Sequence, residues 1–260
     1  MKMKKILSLV AVLAMSTALF AGCGNNGENP EGTPDATEKE ALTMATNAEF
    51  PPFEYLENGE IVGADVDIAK AIAAKLGREL EITNIDFDAA LTGAATGKYD
   101  MAVAGITAND ERRKNMNFSI DYYEASQAII VMADSEIAGA ADLEGKTIAC
   151  QEGTTGEQYL LDNNYSIQSF KTGAEAVTSM TSGKVDAVVI DNAVAKELSE
   201  KQNGATKVLD EALTKESYAI ALQKGDDELT AEIDAALEEL KADGTLASIF
   251  DKYELPYDAE

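Results

Sequence analysis

Two stretches of the chain carry the same pattern 86 residues apart: Gly97-Lys98-Tyr99-Asp100-Met101-Ala102-Val103 and Gly183-Lys184-Val185-Asp186-Ala187-Val188-Val189. Each stretch follows a helix-forming segment, which contains Ala89-Ala90-Leu91 in the first case and Glu175-Ala176-Val177 in the second. A glycine at this place closes the last helical turn in the left-handed conformation, and the apolar run after it is typical of a buried strand. The repeat favours two similar α/β units. A helix-to-strand turn of this composition is also common by itself, so the repeat alone leaves both interpretations open.

Strand and helix patterns alternate along the chain around these stretches. Apolar residues at helical spacing predict helices at residues 65–76 and 88–96, which end at Gly77 and Gly97. The other predicted elements are strands at residues 42–46, 79–85 and 101–104 and a C-terminal helix at residues 226–243. Alternation of this kind is typical of an α/β fold with largely parallel sheets.

The ends of the two repeated strands indicate where a ligand would bind. In the repeat, the segments Val103-Ala104-Gly105 and Val189-Ile190-Asp191 are equivalent strand ends. Ligands of open α/β sheets bind beyond the carboxyl ends of the strands. Two units that face each other would therefore hold a ligand between Gly105 and Asp191.

The composition excludes several classes of function. The chain has 260 residues and a formal net charge of −26, which disfavours nucleic-acid binding because a phosphate backbone requires a basic surface. There is no histidine, so Ser-His and Cys-His catalysis and histidine metal sites are excluded. The two cysteines, Cys23 and Cys150, are too few for a cysteine zinc site or a disulfide scaffold. The phosphate-binding pattern G-x-x-x-x-G-K-[ST] is absent from the sequence, so we expect no ATPase activity. We also expect no cofactor and no metal.

Residues 1–22 have the order of a signal peptide, in which three lysines precede an apolar run that is too short to span a bilayer. The run ends in Phe20-Ala21-Gly22-Cys23, which resembles the lipobox at which bacteria attach lipid to a cysteine, although Phe20 stands where leucine is usual. An ordinary secretory signal with an incidental cysteine is the alternative. Residues 23–40 are polar and are expected to be a disordered tether. The mature protein would then be extracytoplasmic and anchored by lipid on Cys23 to the outer face of the cell membrane.

A free amino acid presents a carboxylate and an ammonium at a fixed separation. Arginine pairs with a carboxylate through two parallel N–H groups, and an acidic side chain pairs with an ammonium. The segment from Gly105 leaves a strand end, turns and presents Thr107 and then Arg112. Arg112 is therefore a candidate for the carboxylate and Asp191 for the ammonium. The alternatives are a solvated basic run around Arg112 and a helix N-cap at Asp191.

Several motifs occur in a fixed order: Phe50-Pro51-Pro52-Phe53-Glu54-Tyr55, Ile61-Val62-Gly63-Ala64-Asp65-Val66-Asp67-Ile68, Gly105-Ile106-Thr107 with Glu111-Arg112, Phe118-Ser119 with Tyr122-Tyr123, Gln151-Glu152-Gly153-Thr154-Thr155-Gly156, and Lys184-Val185-Asp186-Ala187 with Asp191. Together they resemble the polar amino acid binding proteins, which are family 3 extracellular solute-binding proteins with the type II periplasmic binding protein fold. The resemblance runs from about Leu42 to Tyr253. It implies an α/β fold of two Rossmann-like lobes that are joined by two hinge crossings.

The resemblance also implies a function and a site. The function is that of the substrate-binding component of an ABC importer, which captures a polar or charged L-amino acid and delivers it to permease subunits in the membrane. Arg112 and Thr107, with the backbone at Thr155, would bind the ligand carboxylate, and Asp191 with the Gly105 carbonyl would bind the ammonium. The full set of expected ligand-binding residues is Asn47, Phe50, Phe87, Ala104, Gly105, Thr107, Arg112, Gln151, Thr154, Thr155 and Asp191.

The residues expected around the ligand side chain do not decide which amino acid is bound. The two phenylalanines would enclose the side chain, although from composition alone such residues are more often core, and the two threonines at 154 and 155 are also typical of a simple turn. Asn47 and Gln151 would meet the tip. Many relatives have aspartate in place of Asn47. The lack of that acid here weakens the case for lysine or arginine as the ligand, and asparagine suits a ligand with an amide or hydroxyl side chain. Glu49 or Glu152 could restore the negative charge.

The resemblance predicts how the chain is divided. One lobe would comprise residues 41–121 and 219–260, and the other residues 127–213. Residues 122–126 and 214–218 would be the hinge strands. Ligand binding would close the lobes by hinge motion, with the ligand carboxylate and ammonium bound from opposite lobes. We expect a monomer.

Two other functions are open at this point. A few relatives are cyclohexadienyl dehydratases, and such an enzyme needs a general acid over the ligand, for which Glu49 and Glu152 are candidates. The second alternative is a ligand-sensing module that a separate partner reads, since similar domains occur in receptors. With no base paired to either glutamate, we expect binding and not catalysis.

Overall fold

The computed structural model describes residues 40–257, so the predicted signal peptide, Cys23 and the tether up to residue 39 lie outside the described residues. The strands of the described chain are β1 Leu42–Thr46, β2 Glu49–Phe50, β3 Glu54–Glu57, β4 Glu60–Val62, β5 Leu80–Asn84, β6 Met101–Ala102, β7 Met116–Phe118, β8 Tyr123–Ala125, β9 Gln127–Met132, β10 Thr147–Gln151, β11 Ser166–Phe170, β12 Ala187–Asp191, β13 Thr206–Val208, β14 Glu216–Tyr218 and β15 Ala221–Gln223. Its α-helices are α1 Ala64–Leu76, α2 Phe87–Ala95, α3 Asp110–Arg113, α4 Thr155–Asp162, α5 Gly173–Thr181, α6 Asn192–Glu200, α7 Asp227–Ala242 and α8 Thr245–Lys252. A 3-10 helix covers Ala140–Leu143, and none of the helices in this part of the chain has the length and apolar character that a membrane crossing requires.

Two five-stranded sheets form the framework of the molecule. The first sheet has the order β5-β1-β6-β15-β7, and the second has the order β11-β10-β12-β9-β13. In each sheet three strands are parallel and are connected through helices, namely β1, β5 and β6 in the first and β10, β11 and β12 in the second. The predicted α/β class is confirmed.

The chain passes between the two sheets twice. Strand β8 lies in the first crossing and β14 in the second, and the two pair as an antiparallel ribbon. The strand after each crossing, β9 or β15, enters its sheet from the carboxyl ends of the parallel strands and therefore runs antiparallel to its neighbours. For this reason half of the strand pairs in each sheet are antiparallel, and the expectation of largely parallel sheets is wrong in that respect.

The repeated Gly-Lys-x-Asp stretches have the same geometry in both places. Their glycines follow α2 and α5 in the left-handed conformation, with φ of 69° and 72°. The carboxylates of Asp100 and Asp186 each accept a hydrogen bond of 2.8 Å from an N–H group near the start of the neighbouring parallel strand, at Thr43 and Thr147 respectively. The same turn thus joins β6 to β1 and β12 to β10, so the repeat in sequence is also a repeat in structure.

The predicted C-terminal helix is α7. Its buried leucine and isoleucine residues recur at helical spacing: Leu229, Ile233, Leu237 and Leu240. On this helix Asp227 accepts a hydrogen bond from the side chain of Asn117, which lies in β7, and Asp234 accepts one from the N–H of Ile120, just after β7. The chain therefore returns to the first sheet after the second crossing. Helix α8, which the sequence patterns did not predict, follows α7.

Candidate functional site

A cavity lies at the carboxyl ends of strands from both sheets. Its lining residues are Asn47, Phe50, Glu54, Phe87, Ala104, Gly105, Thr107, Arg112, Gln151, Thr154, Thr155 and Asp191. The structure therefore brings together all eleven residues expected from the sequence, and it adds Glu54. The position agrees with the rule that ligands bind beyond the carboxyl ends of strands in α/β sheets.

Arg112 reaches the cavity from α3, a single helical turn that follows the first sheet's β6. The side chain of Asn109 caps this turn by accepting a hydrogen bond of 2.9 Å from the Arg112 N–H. The next two residues of the basic run, Arg113 and Lys114, are exposed. The interpretation as a solvated face therefore applies to those two residues but not to Arg112.

The Arg112 guanidinium touches both halves of the site. It donates to the Thr107 carbonyl at 2.9 Å on the side of the first sheet and to the Gly153 carbonyl at 3.1 Å on the side of the second. It also lies over the ring of Phe87, with 5.5 Å between the guanidinium carbon and the ring centroid. Burial lowers the pKa of Arg112 from its usual value, and the nearby carboxylate of Asp191 opposes that shift.

Asp191 is the last residue of β12 and directly precedes α6. It occupies the N-cap position, but its side chain makes no capping hydrogen bond. The carboxylate instead accepts a hydrogen bond of 2.6 Å from the Tyr218 hydroxyl, and the residue is buried. Burial raises the pKa of Asp191 to about 6, and the neighbouring Glu216 adds to the shift. The N-cap interpretation therefore does not account for where this carboxylate points.

The hydroxyls of Thr107 and Thr155 point to a residue that sequence analysis did not assign. Both donate to one carboxylate oxygen of Glu216, at 2.5 Å and 2.7 Å respectively. A threonine hydroxyl has a single proton to donate. In this arrangement Thr107 lines the cavity as expected, but its hydroxyl proton is directed to Glu216.

Asn47 and Gln151 meet across the cavity. The amide nitrogen of Asn47 donates to the Ile85 carbonyl at 3.1 Å, so its oxygen faces the cavity and accepts from the Gln151 amide at 3.2 Å. The Gln151 oxygen is buried and has no hydrogen-bond partner among residues 40–257. This end of the cavity therefore presents an acceptor, the Gln151 oxygen, to which no protein group donates in the described residues.

The wall between the two ends of the cavity is apolar. Phe50 and Phe87 are both buried and line it, together with Ala104. Gly105 has φ of 55°, and a methyl group there would lie 2.6 Å from a ring carbon of Phe50. The Gly105 N–H donates to Asp65 at 2.8 Å, which holds the strand end in place.

Thr154 has a structural role as well as a place in the lining. Its hydroxyl donates to the Gln151 carbonyl at 2.7 Å, and its oxygen accepts from the Glu157 N–H at 3.2 Å as the N-cap of α4. The turn interpretation is thus correct for this hydroxyl.

Glu54 is fully buried in the cavity lining. Neither of its carboxyl oxygens has a hydrogen-bond partner in the described part of the chain. Burial raises the pKa of Glu54 well above its usual value, and the adjacent Asp65 adds to the shift. Asp65 itself accepts from the Tyr122 hydroxyl at 2.9 Å, and burial raises its pKa to about 6.

The two sides of the site are in close contact at Gly153 and Asp88. Gly153 follows β10 of the second sheet, and Asp88 lies on α2 beside the first sheet. A β-carbon at Gly153 would be 1.9 Å from an Asp88 carboxylate oxygen, and Gly153 has φ of 76°. Glycine is therefore required here for two reasons, the backbone conformation and the close contact.

Sequence analysis missed Glu54, Glu216 and Tyr218. A signal for the last two was present, because residues two apart in a strand share a face. In β14 Glu216 and Tyr218 are buried whereas Ser217 between them is half-buried. The spacing of Glu216 and Tyr218 in the sequence is therefore the signal that their side chains share one face of β14.

The chain belongs to the bacterial extracellular solute-binding proteins of family 3. The sequence model of this family matches residues 42–256, which covers both sheets and both crossings.

Individual relatives agree with this assignment. The arginine-binding extracellular protein ArtP of Bacillus subtilis strain 168 is 33% identical over 257 residues, which span 96% of this chain and 98% of ArtP. A solved structure of an ancestral arginine-binding protein bound to arginine has a TM-score of 0.79 and 41% identity, covering 83% of this chain and 99% of that one. The structure of an ancestral arginine-binding protein bound to glutamine has a TM-score of 0.78 and 42% identity, covering 82% and 97%.

Proposed function

We propose that this protein is the substrate-binding component of an ABC importer, which captures an L-amino acid in the cavity and delivers it to permease subunits in the membrane. The observation that carries the proposal is the presence of Arg112 and Asp191 in one cavity, Arg112 from α3 beside the first sheet and Asp191 from β12 of the second. A ligand with a carboxylate and an ammonium complements this pair. The relatives named for arginine, one of them in a structure with glutamine, support an amino acid as the ligand.

The unpartnered groups of the cavity favour a side chain that carries N–H donors. Gln151 offers a buried acceptor oxygen near Asn47. The buried Glu54 carboxyl, whose raised pKa favours the protonated form, offers a further acceptor oxygen. A guanidinium, an ammonium or a primary amide can donate to such acceptors, whereas a carboxylate side chain cannot. The proposed ligands are therefore basic or amide amino acids, and glutamate and aspartate are excluded from the class.

We infer that the two sheets belong to two lobes that close around the ligand, with residues 41–121 and 219–260 in one lobe and residues 127–213 in the other. Residues 122–126 and 214–218 would be the hinges. The pairing of β8 with β14 and the placement of the cavity between the sheets support this division. In this scheme a monomer suffices, because one chain supplies both walls of the site.

The proposed location is the outer face of the cell membrane, with lipid on Cys23 as the anchor and residues 23–40 as the tether. A diacylated cysteine supplies the two chains that stable anchoring requires. Substitution Cys23→Ser should release the protein from the membrane fraction into the medium. Retention of the variant in the membrane fraction would contradict lipid anchoring at this residue.

We propose binding rather than catalysis as the activity. The two acids that a dehydratase would use according to the sequence do not line the cavity: Glu49 is exposed, and Glu152 pairs with Lys171 at 2.7 Å. Glu54 is the acid that lines the cavity besides Asp191, so an assay for turnover of prephenate and arogenate separates the two functions. Turnover that disappears in Glu54→Gln would favour the enzyme.

The experiment that tests the proposal is calorimetric titration of the purified chain against the twenty L-amino acids. The protein is first unfolded and refolded so that any ligand that has been purified with it is removed. Tight binding of a basic or amide amino acid is the expected result. Binding of none of the twenty would overturn the amino acid assignment.

A further inference from the structure

Glu216 lies at a junction between the two halves of the molecule. It is the first residue of β14, in the second crossing, and it pairs with Ala125 of the first crossing. The residue is only 7% exposed, so its carboxylate is held away from bulk water. A buried carboxylate is stable only when it is well hydrogen-bonded or paired.

Three hydroxyls provide those hydrogen bonds. One carboxylate oxygen accepts from Thr107 at 2.5 Å and from Thr155 at 2.7 Å, and the other accepts from Thr214 at 2.7 Å. Thr214 in turn accepts from the Gln127 N–H at 2.9 Å, at the start of β9. Hydrogen bonds of this kind are short and strong because the acceptor is charged.

The two donors to the shared oxygen come from opposite sides of the cavity. Thr107 follows β6 of the first sheet, whereas Thr155 begins α4 beside the second sheet. Glu216 can therefore accept from both only when the two sides are together. If the sides separate, at least one of these buried hydrogen bonds is lost.

We propose that Glu216 is a positioning residue that stabilises the closed arrangement of the cavity by holding the Thr107 and Thr155 hydroxyls together. The inference rests on the proposed function, because closure matters for affinity only if the cavity binds a ligand. Glu216 is absent from the cavity lining, so it acts on the ligand through the two threonines. Apparent affinity scales with the fraction of protein in the binding-competent state, so a smaller closed fraction weakens binding in proportion.

A competing explanation is that Glu216 serves only as a counter-charge for Arg112. Its negative charge raises the pKa of Arg112 and so opposes the effect of burial. The two explanations differ in what the threonines do. A counter-charge acts through space and does not need the hydroxyls, whereas the closed arrangement needs both. Removal of one hydroxyl with the charge retained therefore separates them.

The test is a set of calorimetric titrations on the full chain. The probes are the twenty L-amino acids, and the one that the wild type binds most tightly is then titrated into Glu216→Gln, Thr107→Val, Thr155→Val and the double variants. Glu216→Gln is expected to weaken binding about tenfold, the size of one lost charge-assisted hydrogen bond. Each threonine substitution should cost much less in the Glu216→Gln background than in the wild type, because the shared interaction is already gone.

The matched control is Glu124→Gln. Glu124 lies on β8 opposite Ser217, in the same ribbon as Glu216, but its side chain is exposed. Its substitution should leave the affinity unchanged within about twofold. Thermal unfolding of each ligand-free variant shows whether a loss of affinity comes from unfolding, and X-ray scattering with saturating ligand shows whether the closed form is still reached.

Three outcomes are distinguishable. A tenfold loss in Glu216→Gln that is not additive with the threonine substitutions supports the proposal. Wild-type affinity in Glu216→Gln, or full additivity with both threonine substitutions, overturns the proposal and leaves the proposed function intact. Failure of the wild type to bind any of the twenty probes overturns the proposed function and this inference with it.

Discussion

The two halves of the molecule share a scaffold but carry opposite charges at the site. In both halves a Gly-Lys-x-Asp turn anchors a central strand to its parallel neighbour through an aspartate hydrogen bond of 2.8 Å. In the first half the strand runs on to Gly105, and the charge comes from Arg112 on α3. In the second half the strand itself ends in Asp191. In the proposed function the scaffold therefore positions the ligand, and the residues at or just after each strand end determine which charges the ligand must carry.

This difference has an energetic consequence. Both Arg112 and Asp191 are largely buried, and burial shifts the pKa of each toward the neutral form. A buried charge is costly unless it is paired. A ligand that brings one charge of each sign offsets both costs at once, whereas a ligand with a single charge offsets only one.

The largest expected effect comes from removal of either charge. Arg112→Ala and Asp191→Asn should each weaken amino acid binding by at least about 100-fold, because each leaves a ligand charge buried without its partner. Calorimetric titration measures the loss. If either variant keeps wild-type affinity, the opposite charges of the two halves are not what binds the ligand.

A stability measurement provides the control for Asp191→Asn. The pKa of Asp191 is raised to about 6 in the folded protein, so its ionisation opposes folding and the associated stability is lost as the pH rises through 6. The asparagine variant should therefore have a free energy of unfolding at pH 7 that is about 1–2 kcal/mol higher than that of the wild type. Urea denaturation without ligand tests this, and a clear decrease would show that Asp191 supports the fold.

The pH dependence of binding sharpens the same comparison, because Asp191 lines the cavity and has a pKa of about 6, whereas Asp65 of the first half, with a similar pKa, does not line it. The ligand ammonium favours ionised Asp191, so the affinity should be constant above about pH 7 and fall as the pH falls through about 6. A loss of about tenfold is expected at pH 5. Titration at pH 6 in two buffers of different ionisation enthalpy should show proton release on binding. Constant affinity from pH 5 to 8, without proton release, would contradict the account.

A smaller effect is expected where the two halves come into close contact. Gly153→Ala places a methyl group 1.9 Å from an Asp88 oxygen, so Asp88 must move before the halves can meet. We expect a loss of affinity of about three- to tenfold, measured by titration.

Gly145→Ala is the matched control for this substitution. Gly145 has φ of 74°, close to the 76° of Gly153, but no atom lies within 4 Å of a β-carbon there. The two variants share the backbone strain and differ in the contact, so the control should lose stability but not affinity. Adding Asp88→Ala to the Gly153→Ala variant should restore the affinity, because the side chain that the methyl group meets is then removed. Equal losses of affinity in both glycine variants would show that strain and not contact is responsible.

The smallest effect on binding is expected from the shared scaffold. Asp100→Asn and Asp186→Asn weaken the equivalent turns without touching the cavity. Each should cost about 1 kcal/mol of stability, with the larger loss at Asp100, which also pairs with Arg78 at 3.2 Å. Urea denaturation and ligand titration of the same samples would show whether a loss of stability at these turns also changes the affinity. A change in affinity above about threefold would mean that the turns influence the cavity.

The sequence was informative where the signals are local. Apolar spacing located α1, α2 and α7 to within about one residue, and the order of motifs identified the residues that line the cavity. Burial of an acid is decided by tertiary packing, so Glu54 could not be assigned from its neighbours in sequence. The spacing in β14 indicates that Glu216 and Tyr218 share a face, but not which groups Glu216 contacts. The contact between Asn47 and Gln151 joins residues that are 104 positions apart, and no local pattern encodes it. The antiparallel strands β9 and β15 result from the direction in which the chain enters each sheet after a crossing. Hydrophobic periodicity contains no information about that direction.

The central claim is that each half of the molecule binds one charge of the same ligand. The most direct test titrates wild type, Arg112→Ala and Asp191→Asn with three ligands: the amino acid bound most tightly, its carboxamide and its N-acetyl derivative. The account predicts that the wild type rejects both derivatives by at least about 100-fold, that Arg112→Ala no longer distinguishes the amino acid from its carboxamide, and that Asp191→Asn no longer distinguishes it from its N-acetyl derivative. If both variants discriminate among the three ligands as the wild type does, the assignment of one charge to each half is wrong.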